Sequence, residues 1–340
     1  MSKFYIKNRK ILIVGGAGFI GHNLAIKLKS LGANVRVIDS LTVNNLYSIK
    51  KNKKEVPFQK LSLKILNERF LLLKKNKISL DKIDARDYFK LSRYINYFKP
   101  QVIIHLAAVS HANRSNKDPH STFDHSLRTL ENSLDNAKNN IEQFIFLSSS
   151  MVYGNFLKKE VKESDVCDPI GIYGALKFSA EKIIKAYGQI FNLPYTIIRP
   201  SALYGERCIS RRVGQIFIES ALNKSKIIIN GDGKEKLDFT YIDDLLNGII
   251  CSIKSKNSLQ ETFNITYGNS RTINKLLGIL EESFSNIDII YKKRDKLMPI
   301  RGTLSVSKAQ KLIKFKSKWP LEKGYLKYID WYKRVFKNLI

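Results

Sequence analysis

The chain has 340 residues, 44% hydrophobic and 26% charged, which suits one large or two moderate globular domains. No apolar run approaches the ~18 residues of a membrane span, and the N-terminal segment lacks the apolar core of a secretory leader, so we expect a cytoplasmic protein without membrane contact. The net charge is +29, but the lysines are scattered and lack interleaved aromatic residues, which argues against nucleic-acid binding. The three widely spaced cysteines predict neither a disulfide framework nor a metal site.

Short apolar runs alternate with helix-length segments through the first 200 residues. Parallel strands joined by helical crossovers produce this alternation, so an α/β fold with a doubly wound parallel sheet is predicted. Residues 40–83 are rich in Lys and Leu and predict a helix with its loops. The predicted strands are ILIV (11–14), VRVI (35–38), VIIHL (102–106), FIFLSS (144–149) and YTIIRP (195–200).

Two regions are predicted from this pattern. Residues 1–200 are expected to form one domain built on this sheet. Residues 201–340 mix short strands, glycine turns and amphipathic helices, and are expected to form a smaller α/β region from which the chain can return to the first domain.

The first strand runs into a cluster of glycines, KILIVGGAGFIG, which opens a helical pattern. In this context the glycines at 15, 16, 18 and 21 form a tight turn that lets the backbone approach a diphosphate, with Phe19 and Ile20 in the first helical turn. Asp39 follows at the end of the second strand, where a carboxylate accepts hydrogen bonds from a ribose and repels a 2′-phosphate. Together these residues predict binding of NAD rather than NADP.

Tyr173 and Lys177 are four residues apart in GIYGALKF and therefore share one helix face. A neighbouring ammonium group favours the phenolate form of a tyrosine and so suits it to acid and base catalysis. The strand that ends in FLSSS lies just upstream and can present a hydroxyl beside that phenol.

These segments occur in the order found in the extended short-chain dehydrogenase/reductase superfamily, and the chain resembles its nucleotide-sugar epimerases and dehydratases. The resemblance rests on GGAGFIG, DARD (84–87), HLAA (105–108), SSSMVYG, YGALK, RPSALYGER, GDGKEKLDFTYIDD and IRGTLSVSKAQKLI. It implies NAD as cofactor, a nucleotide-sugar substrate and a homodimer.

The resemblance also assigns roles residue by residue. It implies that Ser149, Tyr173 and Lys177 are catalytic, with Ser150 an open alternative for the serine and a substrate contact. The substrate diphosphate is expected to bind Arg301. The alternative that Arg301 is an exposed charge without a role in binding stays open. The cofactor is expected to contact Gly15, Gly18, Phe19, Ile20, Gly21, Asp39, Asp84, Ala85, Ala107, Ala108 and Lys177.

Departures from the family pattern bear on the reaction. Sugar 4,6-dehydratases usually carry an acidic residue where this chain has Met151, so a base for water elimination is missing. His111 lies in AAVSHANRS and is expected to line the substrate pocket. Ala202 and Leu237 replace residues that usually face the substrate, and Arg207, with Arg211 and Arg212, either compensates for them or forms a solvated charge cluster.

The prediction is therefore an NAD-dependent epimerase of a nucleotide-activated sugar that inverts C4 through a transient 4-keto intermediate. Residues 1–200 are expected to be its NAD-binding Rossmann domain, which also holds the catalytic groups, and residues 201–340 are expected to be mainly its substrate-binding region. Two alternatives stay open. One is a dehydratase or net dehydrogenase/reductase of the same superfamily. The other is a catalytically silent NAD-binding scaffold or redox sensor.

Overall fold

The computed structural model describes residues 4–43, 45–51, 58–110, 112–294 and 297–337. The strands are β1 (Lys10–Val14), β2 (Asn34–Asp39), β3 (Ser79–Lys82), β4 (Val102–His105), β5 (Gln143–Leu147), β6 (Glu160–Val161), β7 (Tyr195–Arg199), β8 (Leu203–Tyr204), β9 (Ile227–Asn230), β10 (Lys236–Leu237), β11 (Thr240–Tyr241), β12 (Glu261–Asn264), β13 (Arg271–Thr272), β14 (Ile289–Lys292) and β15 (Thr303–Leu304). The helices are α1 (Phe19–Ser30), α2 (Leu46–Lys51), α3 (Gln59–Lys75), α4 (Tyr88–Phe98), α5 (Ala112–Lys117), α6 (Pro119–Phe123), α7 (Thr129–Ala137), α8 (Gly171–Phe191), α9 (Val213–Leu222), α10 (Ile242–Ile253), α11 (Ile273–Glu281), α12 (Ser307–Ile313) and α13 (Leu321–Lys337).

Seven parallel strands form the central sheet in the order β12-β7-β5-β4-β1-β2-β3. The chain builds one half outward from β1 to β3 and then returns to β4 on the other side of β1. The order therefore reverses between β1 and β4, and in such sheets a ligand binds outside the carboxyl ends of the strands at this point. The predicted doubly wound fold is confirmed.

At one edge the sheet contains a strand that the sequence did not predict. β3 was not predicted, because its four residues SLDK lack an apolar run and are half-buried or exposed in an edge strand. At the other edge β12 pairs in parallel with β7, so a segment from beyond residue 200 completes the sheet. A division of the chain near residue 200 stays a prediction.

The rest of the C-terminal region consists of small two-stranded sheets and helices. Its last helix, α13, presents Tyr325, Tyr328 and Tyr332 to the core, where their side chains are fully buried. Among the residues that the structure describes, no helix combines the length and apolarity needed to cross a membrane.

A buried ion pair joins the carboxyl end of β7 to α8. The Arg199 guanidinium donates to both carboxylate oxygens of Glu181, at 2.9 Å and 2.5 Å, and the two side chains are 3% and 0% exposed. Ser148, just beyond β5, donates its hydroxyl to the same carboxylate at 2.5 Å. The pair therefore ties together the ends of two strands and the helix that carries Tyr173.

We expect Arg199→Met to lower the free energy of unfolding by about 3–5 kcal/mol, because it leaves the Glu181 carboxylate buried without its cation. The double variant Arg199→Met/Glu181→Leu is expected to recover most of this loss, since it leaves no unpaired charge. Urea unfolding followed by circular dichroism measures both. A single variant within about 1 kcal/mol of wild type would show that the pair does not carry this stability.

Candidate active site

The glycine-rich turn lets the end of β1 lie against the chain just beyond β4. Gly15 has a φ of +77°, and a Cβ added there would lie 2.6 Å from the Ala107 backbone nitrogen. At Gly21 a Cβ would lie 2.4 Å from the Gly16 Cα, so α1 packs directly on the turn. The N-cap Gly18 offers no side chain to α1, and its first turn holds no acidic residue. The first N–H groups of the helix are therefore open to an anion.

Asp39 stands at the end of β2 beside this turn. One carboxylate oxygen accepts from the Ala17 N–H at 3.0 Å, and the other accepts from the Leu41 N–H at 2.7 Å. Burial raises the pKa of Asp39 to about 6, against the lowering effect of these bonds. A carboxylate fixed in this way keeps lone pairs free for two further donors, such as the hydroxyls of a ribose.

An elongated cavity, the cofactor cleft, runs along the carboxyl ends of β1, β2 and β4. Asp84 is held at its wall by a 2.6 Å ion pair with Arg86. Burial acts to raise the pKa of Asp84, but the hydrogen bonds from Arg86 outweigh it and hold this pKa below its usual value. The lining includes every predicted cofactor residue apart from Lys177, namely Gly15, Gly18, Phe19, Ile20, Gly21, Asp39, Asp84, Ala85, Ala107 and Ala108.

The residues of the cofactor cleft fit a dinucleotide on three counts. The glycine turn is a cradle that side chains would fill, the uncapped start of α1 suits a diphosphate, and the Asp39 carboxylate suits a ribose diol.

Tyr173 and Lys177 lie on the buried face of α8, where both side chains are 8% exposed. The Lys177 ammonium donates to the Leu147 carbonyl at 2.6 Å and lies 4.6 Å from the Phe146 ring centroid. Burial lowers the pKa of Lys177 to about 8, although Glu181 acts in the opposite direction. At neutral pH the side chain is therefore mostly a cation held next to the end of β5.

The three serines after β5 differ in their contacts. Ser148 donates to Glu181 and belongs to the core network. Ser149 caps the short 3₁₀ turn Ser150–Tyr153, its hydroxyl oxygen accepting from the Met151 N–H at 3.2 Å. This bond leaves the hydroxyl proton of Ser149 available, as the catalytic role predicted for it requires. Ser150 is held through its backbone N–H, which donates to the Pro200 carbonyl at 2.9 Å.

A second cavity, the substrate cleft, opens in front of these groups. Ser149, Ser150, Met151, Tyr173 and Lys177 all line it. Ile20, Leu106 and Ala108 line both this cavity and the cofactor cleft, so the two meet there. A cofactor lying along the first cleft would thus reach the cavity that Tyr173 lines.

Three arginines line the substrate cleft, namely Arg211, Arg212 and Arg301, and its described lining contains no carboxylate. Arg301 has no hydrogen-bond partner among the described residues, and burial, with Arg212 and Arg294 nearby, lowers its pKa to about 10. Arg212 donates to the Ser110 carbonyl at 3.1 Å, and Arg211 to Glu219 at 2.8 Å. Such a surplus of positive charge suits an anionic ligand.

Arg207, a predicted substrate residue, does not line this cleft among the described residues. Arg207 points instead at Asn23, His22 and Glu68, to which its guanidinium donates at 2.9, 3.1 and 3.2 Å. The geometry therefore does not support the predicted substrate contact of Arg207, because its guanidinium group already donates hydrogen bonds to residues of α1 and α3. His111 lies outside the described residues.

Sequence reasoning missed one buried charge at the cofactor cleft. Arg69, on α3, is 1% exposed and lines this cleft. It lies within the segment 40–83, whose local pattern indicates a helix but does not indicate where that helix packs.

Comparison with known proteins identifies the group to which this architecture belongs. Residues 11–266 match the model of the NAD dependent epimerase/dehydratase family. The chain belongs to this family. A putative UDP-glucose 4-epimerase of Methanocaldococcus jannaschii is 29% identical, over 95% of this chain and 98% of its own length. A dTDP-D-glucose 4,6-dehydratase of Dictyostelium discoideum is 30% identical, over 76% of this chain and 58% of its own.

A solved structure extends the likeness to the fold. The UDP-glucuronic acid 4-epimerase of Bacillus cereus, in complex with UDP-glucuronic acid and NAD, matches with a TM-score of 0.82 and 27% identity, over 96% of this chain and 99% of that one. The predicted superfamily and the prediction of NAD as cofactor are confirmed. The likeness of the fold therefore extends over nearly the whole of both chains.

The pKa of Asp39 gives a pH test of cofactor binding. Ribose hydroxyls favour the ionised carboxylate, whereas the free protein protonates Asp39 as the pH falls through about 6. We expect the Kd for NAD to rise as the pH falls from 7.5 to 5, by about tenfold for each pH unit below the pKa. Isothermal titration calorimetry measures this dependence.

Asp39→Asn supplies the matched control, because it keeps the shape of the side chain without its titration. We expect it to bind NAD more weakly at pH 7.5 and to lack the pH dependence. An identical pH profile in both proteins would assign the titration to another group.

Proposed function

We propose that this protein is an NAD-dependent epimerase of a nucleotide-activated sugar, which inverts C4 through a transient 4-keto intermediate. One observation carries the proposal. The cofactor cleft meets the substrate cleft, which Ser149, Tyr173 and Lys177 line, and the described lining of the substrate cleft holds three arginines and no carboxylate. Relatives named as UDP-glucose and UDP-glucuronate 4-epimerases support the same reading.

Tyr173 is the acid and base of the reaction. Its phenolate takes the proton from the C4 hydroxyl of the sugar as the hydride leaves C4, and C4 becomes a carbonyl. NAD, when bound, supplies the site that accepts this hydride and returns it. After the keto sugar has turned, the hydride is added to the opposite face of C4, and Tyr173 gives the proton back to the C4 oxygen. No net oxidation results.

The neighbours of Tyr173 set up this proton transfer. The Lys177 ammonium, fixed by the Leu147 carbonyl, places a positive charge on the helix face that carries Tyr173. Ser149 offers its hydroxyl to the reacting oxygen, because its own oxygen is already held by the Met151 N–H. The negative charge of the substrate diphosphate is matched by Arg212 and Arg301 in the same cleft.

Met151 favours epimerisation over dehydration. Its thioether lines the substrate cleft and cannot remove a proton from C5 of a 4-keto sugar. The described residues of that cleft include no carboxylate that could take over this role. The keto sugar is therefore expected to be reduced again rather than to lose water.

Incubation with a panel of UDP-, GDP-, dTDP- and CDP-sugars, followed by NMR of the sugar protons, tests the reaction and names the substrate. We expect one sugar to be converted into its C4 epimer. A stable 4-keto-6-deoxy product would replace this proposal with a dehydratase. No conversion of any sugar in the panel would contradict the proposal for these substrate classes.

Tyr173→Phe is expected to lower kcat by about 10²- to 10⁴-fold, because it removes the group that exchanges the proton. NAD binding and the unfolding temperature are expected to stay near wild type, since the side chain keeps its shape. Ser149→Ala and Ser150→Ala, assayed side by side, distinguish the two serines. A kcat of Tyr173→Phe within about threefold of wild type would exclude the phenol as the proton carrier.

A further inference from the structure

A loop from the C-terminal region covers the cofactor cleft. This cover loop, residues 205–212, follows β8 and contributes Ile209, Ser210 and Arg212 to the lining of the cleft. Its backbone is constrained, since Arg207 has a φ of +66° and Arg211 one of +49°, values that side chains with a Cβ rarely adopt. Such a conformation persists only where surrounding contacts hold it.

Arg69 supplies one set of these contacts. It reaches from α3, and its Nε and Nη2 atoms both donate to the Arg207 carbonyl, Nε at 3.0 Å. Its Nη1 lies 3.5 Å from the carbonyl of Ala17 in the glycine-rich turn. The N–H of Ala17 is in turn held by Asp39. One buried guanidinium therefore spans from the cover loop to the turn on which the cofactor diphosphate is expected.

Arg207 supplies the second set with its own side chain. It donates to Asn23 and His22 on α1 and to Glu68 on α3. His22 is bonded through Nδ1 to the Gly18 carbonyl at 2.8 Å, so its Nε2 is free to accept from Arg207. Burial, with Arg69 nearby, lowers the pKa of His22 well below its usual value and keeps the ring neutral for this role.

Arg69 is 1% exposed, and among the described residues it donates hydrogen bonds to carbonyl oxygens. Burial lowers the pKa of Arg69 to about 10, and the charge of the nearby Asp39 carboxylate acts in the opposite direction. A dinucleotide diphosphate in the cleft that Arg69 lines would add negative charge beside this buried cation.

We propose that Arg69 and Arg207 are positioning residues that form a clamp, which fastens the cover loop over the dinucleotide and retains it between turnovers. The inference deepens the proposed function and rests on it. An epimerase regenerates its cofactor within each turnover, so cofactor exchange serves no purpose and slow release is an advantage.

The dissociation rate of NADH tests the clamp without any sugar substrate. Protein loaded with NADH is mixed with excess NAD in a stopped-flow instrument, and the loss of NADH fluorescence is followed. We expect Arg207→Gln and Arg69→Met to release NADH at least about tenfold faster than wild type, with Arg69→Lys in between. Arg271→Gln removes a half-buried arginine paired with Glu322 away from the cleft, and is expected to release NADH at the wild-type rate.

Thermal unfolding of the NAD-free proteins separates the clamp from a general loss of stability. If Arg69→Met does not fold, Arg207→Gln decides, because it keeps the carbonyl that Arg69 binds. Wild-type release from Arg207→Gln and Arg69→Lys would overturn the clamp, as would equal acceleration in Arg271→Gln. The sugar panel is independent of this result, so a clamp without epimerase activity would reject only the proposed function.

Discussion

The structure depends on the close approach of two backbone segments, one at Gly15 and one at Ala107. Gly15 turns the chain out of β1 with a φ of +77°, and the space where a Cβ would stand is taken by the backbone at Ala107, just beyond β4. The two strands on either side of the reversal in strand order can therefore end side by side, and their carboxyl ends form one continuous wall. The uncapped start of α1 and the Asp39 carboxylate both face the cleft along this wall. A bulkier residue at position 15 would separate the elements from which the cofactor cleft is made.

The chemistry is built on the neighbouring strand ends. β5 delivers the serines and the Leu147 carbonyl, and α8 lays Tyr173 and Lys177 across them. The Arg199–Glu181 pair joins β7 to α8 and so fixes the helix that carries Tyr173 and Lys177. The C-terminal region contributes arginines to the lining of the same cleft. Under the proposed function, the sheet and α8 would serve proton transfer and the C-terminal region would bind the charge of the substrate.

Local sequence patterns predicted the parts of this arrangement that are local in space. The glycine turn, the strand that precedes it and the acid at the end of β2 follow from spacing alone, because one βαβ unit positions all of them. β3 escaped prediction because an edge strand with half-exposed residues carries no apolar run. The contacts of Arg207 with α1 and α3 were not foreseen, since a left-handed residue in a loop turns its side chain in a direction that no periodicity encodes. Arg69 was missed for a related reason: its role depends on where α3 packs.

The fate of the hydrogen on C4 tests the central claim most directly. With a sugar nucleotide deuterated at C4, turnover in ordinary water is predicted to give an epimer that keeps its deuterium at C4, because the same hydride leaves and returns within one closed site. Mass spectrometry and NMR of the product read this out. Replacement of the label by solvent hydrogen would contradict the account, since inversion would then proceed by proton exchange with water rather than by hydride return.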